Sequence, residues 1–113
     1  MIAEHRYQCE TVEVVDPTVI VATIDLGFRH TVTVPLRLVG LDADEPGTDA
    51  YRRARRYLAK RVAASSDLWV STVEDPDVRG SYACVLFGDD NNLNVEMVKL
   101  GYATFYDGGG KVE

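Results

Sequence analysis

The sequence predicts a mainly β fold with two helices, a small closed barrel of five strands. Three observations carry this. Residues 6–41 hold three β-branched runs separated by turn signals. A stretch with an apolar residue at every fourth position follows. Two more β-rich runs come next, then a short second helical stretch. At 113 residues the whole chain, 1–113, reads as a single domain. Its expected core is about 7–106, and a glycine-rich tail over 107–113 is expected to be flexible.

The elements follow in order. Residues 6–15 are rich in Tyr, Thr and Val and read as a strand, broken by Asp16-Pro17. Residues 18–26 form a second run, Gly27-Phe28-Arg29-His30 a turn, and residues 31–41 a third strand. Pro35 marks an edge or a bulge there, because it cannot donate to the ladder. After the acidic loop Asp42-Ala43-Asp44-Glu45-Pro46-Gly47, Thr48 or Asp49 caps a helix running to about Ala64. Ala50, Ala54, Leu58 and Val62 form its apolar stripe, with Tyr51 at the edge. Residues 68–73 are a fourth strand, Asp75-Pro76-Asp77 a turn, and residues 81–87 a fifth strand. Asp89-Asp90 falls in a solvated loop. Residues 94–100 form a short helix stopped by Gly101, and residues 102–106 a last extended segment. Three meandering strands, a helix, then two strands is the connectivity of an OB-type barrel.

Composition narrows the function classes. No apolar run is long enough to span a membrane as a helix, and Met1 to Arg6 carries no secretory pattern. Cys9 and Cys84 lie far apart, without metal-ligand spacing, in apolar-alternating stretches; they read as reduced core cysteines, which fits a cytoplasmic location. Trp69, Tyr82, Phe87 and Tyr106 stand at strand positions and read as core, with base stacking as the alternative. The formal net charge is −6, the wrong sign for holding nucleic acid by the overall field. Yet six of the twelve basic residues, Arg52, Arg53, Arg55, Arg56, Lys60 and Arg61, fall within ten positions on the predicted helix. An anionic partner would meet that segment or a local pocket. A solvated helix face is the bland alternative.

Several segments resemble the staphylococcal (micrococcal) nuclease family, the thermonucleases. Val14-Val15-Asp16 is similar to its V-V-D-G-D-T turn, and Ile24-Asp25-Leu26-Gly27-Phe28 to its I-D-L-G-F segment. The run from Leu36 to Glu45 resembles R-L-x-G-I-D-A-P-E. Asp77 to Tyr82 resembles D-x-Y-G-R-Y, and Asn94 to Ala103 resembles N-x-x-L-V-x-x-G-Y-A. These pieces keep their order across about residues 7–106. The resemblance implies an OB barrel and Ca²⁺-dependent hydrolysis of DNA or RNA. Two aspartates and a carbonyl would bind the metal, a glutamate would act on water, and two arginines would bind phosphate.

Residue by residue, the resemblance gives Arg37 as the first arginine, Asp42 as a metal ligand and Glu45 as the base. Ala43 stands where only a carbonyl is needed, and Asp44 replaces a proline. The turn reads Asp16-Pro17-Thr18-Val19, so Thr18 occupies the position of the other metal aspartate and a weak Ca²⁺ site is expected. Asp16 or Asp44 would supply the missing carboxylate. Ser81 falls at the second arginine, and Arg79 lies two residues earlier, on the same strand face but displaced by about 6–7 Å.

Three function classes therefore stay open. One is a Ca²⁺-dependent phosphodiesterase using Arg37, Glu45 and Arg79 with Asp42, Asp16 or Asp44 as ligands. Another is a non-catalytic barrel that binds nucleic acid or nucleotide through the Arg-rich helix, with Arg52, Arg53, Arg56 and Lys60, or through the Arg37 pocket. The third is a protein-interaction domain on a degenerate scaffold.

Overall fold

A computed structural model describes residues 5–74 and 82–105. Its strands are β1 (His5–Asp16), β2 (Val19–Gly27), β3 (His30–Leu38), β4 (Leu41–Asp42), β5 (Leu68–Glu74), β6 (Tyr82–Gly88), β7 (Asn91–Asn92) and β8 (Thr104–Phe105). Helix α1 (Asp49–Ala64) lies between β4 and β5, and α2 (Leu93–Lys99) between β7 and β8. The expected turn at Asp75-Pro76-Asp77, Arg79, Ser81, Tyr106 and the 107–113 tail lie outside the described residues.

The barrel closes because β1 serves two neighbours. Its first half, His5 to Gln8, pairs with β5, and its second half, from Cys9, pairs with β2. Register shifts between Cys9 and Thr11 and between Val14 and Asp16 interrupt the ladder with β2; such bulges bend a strand and let a sheet curl. β2 pairs with β3, β5 with β6, and β3 joins β6 in parallel at Arg37–Ala83 and Leu38–Cys84. The result is a closed, mixed, five-stranded barrel, with the small β4–β8 pair beside it.

Three hairpin turns carry their own explanation. Asp16 folds β1 into β2 by accepting from the Thr18 amide at 3.0 Å, a side-chain mimic of a backbone turn. Phe28 and Arg29, both at positive φ, make the two-residue turn between β2 and β3, a twist that matches paired strands. Asp89 and Asp90, also at positive φ, do the same between β6 and β7. Asp89 is exposed, but it is more than solvated: its Oδ1 accepts from the Ser66 and Asp67 amides, both at 2.9 Å, and so fixes the link from α1 to β5.

The third strand is shorter than the sequence suggests. Gly40, at φ 75°, ends β3, and residues 41–42 leave to pair with β8. Pro35 sits where β3 pairs only with β2 among the described residues, as an edge proline should. The core is aliphatic, built from Ile20, Leu38, Leu41, Leu58, Val70, Leu86, Leu93 and Met97. The core reading of the strand aromatics is not met: Trp69 and Phe87 are half-buried and Tyr82 is 57% exposed. Cys9 and Cys84 are free and buried, and burial pushes their thiols up to about 11 and about 12. No helix among the described residues is long and apolar enough to cross a membrane.

Candidate functional site: the outer face of α1

Thr48 starts α1 by accepting from the Tyr51 amide at 3.1 Å, while its hydroxyl donates to the Glu45 carbonyl at 2.8 Å. Ala54, Leu58 and Val62 are buried and seat the helix against the barrel. Polar clamps then hold both ends. The Tyr51 hydroxyl donates to Asp16 Oδ2 at 3.2 Å, and Arg55 Nε donates to the Val15 carbonyl at 3.0 Å. Further along, Arg61 Nε donates to Glu96 Oε1 at 2.5 Å, and the Tyr57 hydroxyl donates to the same oxygen. The Arg61 guanidinium holds the Glu96 carboxyl below its ordinary value, aided by Tyr57. Burial first, then the bond to Glu96, raises the Tyr57 phenol, so it stays neutral.

The six basic residues of α1 therefore divide by role. Arg55 and Arg61 are structural, and Arg52 pairs with Asp49. Arg53, Arg56 and Lys60 are exposed and have no ion-pair or hydrogen-bond partner among the described residues. At 100° per residue, positions 53, 56, 57 and 60 fall within an arc of about 100° on one side of the helix. These four side chains, with Tyr102, line a recess of about 220 Å³.

Tyr102 reaches that recess because of how α2 ends. Gly101, at φ 83°, lets its own amide donate to the Val98 carbonyl at 3.1 Å and the Tyr102 amide donate to the Met97 carbonyl at 2.8 Å. This paired closure is the Schellman motif, and glycine suits its left-handed position. The chain reverses, and the Tyr102 ring stacks on Tyr57 with centroids 4.6 Å apart and planes 18° from parallel. On the other flank of α1, Arg56 also lines a wider recess with Arg52, Arg55 and Tyr51.

The residues that the nuclease resemblance singles out lie elsewhere. The Thr18 carbonyl accepts from the Leu38 amide at 2.8 Å, and Arg37 stands opposite Val19, so the Asp16–Val19 turn meets the end of β3. Arg37 and Asp42 are half-buried and both are engaged by neighbouring groups. Asp44 and Glu45 are exposed on the loop into α1. Asp16 is occupied by Thr18 and Tyr51. Among the described residues no three His, Cys, Asp or Glu side chains are grouped to hold a metal, so Asp16, Asp42, Asp44 and Glu45 do not assemble one. A Ca²⁺ ion there would therefore have to draw most of its oxygen ligands from backbone carbonyls and water. Arg79 lies outside the described residues.

Of the four residues that the sequence singles out on this helix, Arg53, Arg56 and Lys60 line the recess and Arg52 does not; Tyr57 and Tyr102, which also line it, were not singled out. The signal was present: Tyr57 shares their helix face, and Tyr102 directly follows the glycine that stops α2. The chain matches no family model and no curated protein significantly.

Proposed function

We propose that the chain is a staphylococcal-nuclease-like barrel that binds nucleic acid through the outer face of α1 and does not hydrolyse it. One observation carries this reading: Arg53, Arg56 and Lys60 are exposed and share one recess with no partner among the described residues. Three cations held close together repel one another. An anion placed among them relieves that repulsion, and the exposed guanidinium forks match phosphate oxygens. A chain with eighteen acidic residues could have neutralised them internally; Arg52 and Arg61 show how that is done here.

The barrel supports the family assignment by its strand order, β1-β2-β3-β6-β5 and back to β1, with its parallel pair between β3 and β6. That order supports an OB-like reading of the barrel. Thr18, a neutral hydroxyl where the resemblance places the other metal aspartate, supports the loss of hydrolysis. The test is binding of a labelled oligonucleotide at several salt concentrations, with a parallel cleavage assay in Ca²⁺ and in EDTA. Salt-weakened binding without metal-dependent cleavage is expected. Cleavage that needs Ca²⁺ and is lost in Arg37→Ala would restore the phosphodiesterase reading, and no binding at any salt would remove this one.

A further inference from the structure

Resting on the nucleic-acid reading of α1, we infer that the recess between α1 and Tyr102 holds one unpaired nucleotide of a single strand: the phosphate among Arg53, Arg56 and Lys60, the base against the tyrosine pair. The recess combines two chemistries that a phosphate contact alone does not need. Its cationic wall is the outer face of α1, and its other wall is aromatic. The Tyr57 hydroxyl is committed to Glu96, so what Tyr57 offers a ligand is its ring. Tyr102 is fixed beside it by the α2 closure and by the stack itself. The platform is thus assembled before any ligand arrives, which lowers the ordering cost of binding.

Size and stacking exclude a duplex. A recess of about 220 Å³ admits a phosphate and part of one ring, below the roughly 300–1,000 Å³ of pockets that enclose a whole small ligand. A paired base already has both faces covered by its neighbours. Only an unpaired base can present a face to a side-chain ring, and such stacking tolerates any base. The recess should therefore prefer single strands to duplex, with little preference for sequence.

Fluorescence anisotropy with the full chain tests this, using labelled oligothymidylate and a duplex of the same length. The single strand should bind about tenfold or more tightly than the duplex at equal salt. Tyr102→Leu should weaken single-strand binding by about five- to a hundredfold, the range for losing one stacked base, without changing the salt slope, while Tyr102→Phe keeps the affinity. Lys60→Gln, at an exposed position where substitution changes stability little, should weaken single-strand binding more at low salt than at high salt. Thermal melting separates lost stacking from lost folding in Tyr102→Leu. Equal affinity for single strand and duplex, with a folded Tyr102→Leu binding as the parent does, would overturn the nucleotide recess and leave α1 as a general polyanion face. Failure of both nucleic acids to bind would remove the proposed function itself.

Discussion

Asn94 shows what a single buried amide can hold together. It is 4% exposed, its Oδ1 accepts from the Leu86 amide at 3.0 Å, and its Nδ2 donates to the Cys84 and Val39 carbonyls at 3.1 and 3.3 Å. One side chain thereby ties α2 to β6 and to the turn after β3. Asn94→Ala would leave buried groups without partners, and a loss of about 2–4 kcal/mol is expected in urea unfolding. Glu96 gives a pH-dependent prediction. Its carboxyl is held below the ordinary 4.5, chiefly by Arg61. A depressed carboxyl stabilises the fold above its unfolded value, and that contribution is lost as pH falls through the folded value. Glu96→Gln should therefore cost about 1–2 kcal/mol at neutral pH, a charged hydrogen bond discounted for partial exposure. The gap between parent and variant should close below about pH 4.5. A gap that persists in acid would show that Glu96 acts through packing. The sequence marked Asn94 as part of a motif, but its role could not be read there, because its partners are backbone groups of other elements that only the fold brings to it.

At the scale of elements, Gly101 links structure to binding. Gly101→Ala forces a side chain into the left-handed region, costing about 1 kcal/mol, and disturbs the turn that delivers Tyr102 to Tyr57. Lower melting temperature together with weaker oligonucleotide binding is expected; lower stability with unchanged binding would separate Tyr102 from the site. Elements with a period or sharp punctuation were legible in the sequence. The every-fourth-residue stripe gave α1, capped by Thr48 of the two candidates Thr48 and Asp49, and Gly101 gave the end of α2. The two-residue strands β4 and β7 were not legible, since so short a segment has no periodicity and exists only through its partner, whereas β8 falls within the extended segment expected over 102–106. The end of β3 was overrun for a related reason: the apolar run continues through Val39 and Leu41, and only the positive φ at Gly40 divides it.

At the scale of the molecule, a chain of net charge −6 presents a small cationic face on α1. Its own field opposes approach of a long polyanion, so binding should be local, modest and sensitive to salt. The barrel was foreseen from the order of its elements, but the parallel β3–β6 pair that closes it joins residues far apart and leaves no mark in either segment. The candidate site was half legible: its cations form a visible cluster, whereas sorting engaged from unengaged arginines requires Val15, Asp49 and Glu96 in place. The most direct measurement is the slope of log affinity against log salt for a single-stranded oligonucleotide, in the parent and in a chain carrying Arg53→Gln, Arg56→Gln and Lys60→Gln together. Three cations gathered on one phosphate predict a parent slope of about −0.7 and a variant slope near zero. A variant that binds with the parent's slope and affinity would contradict the account.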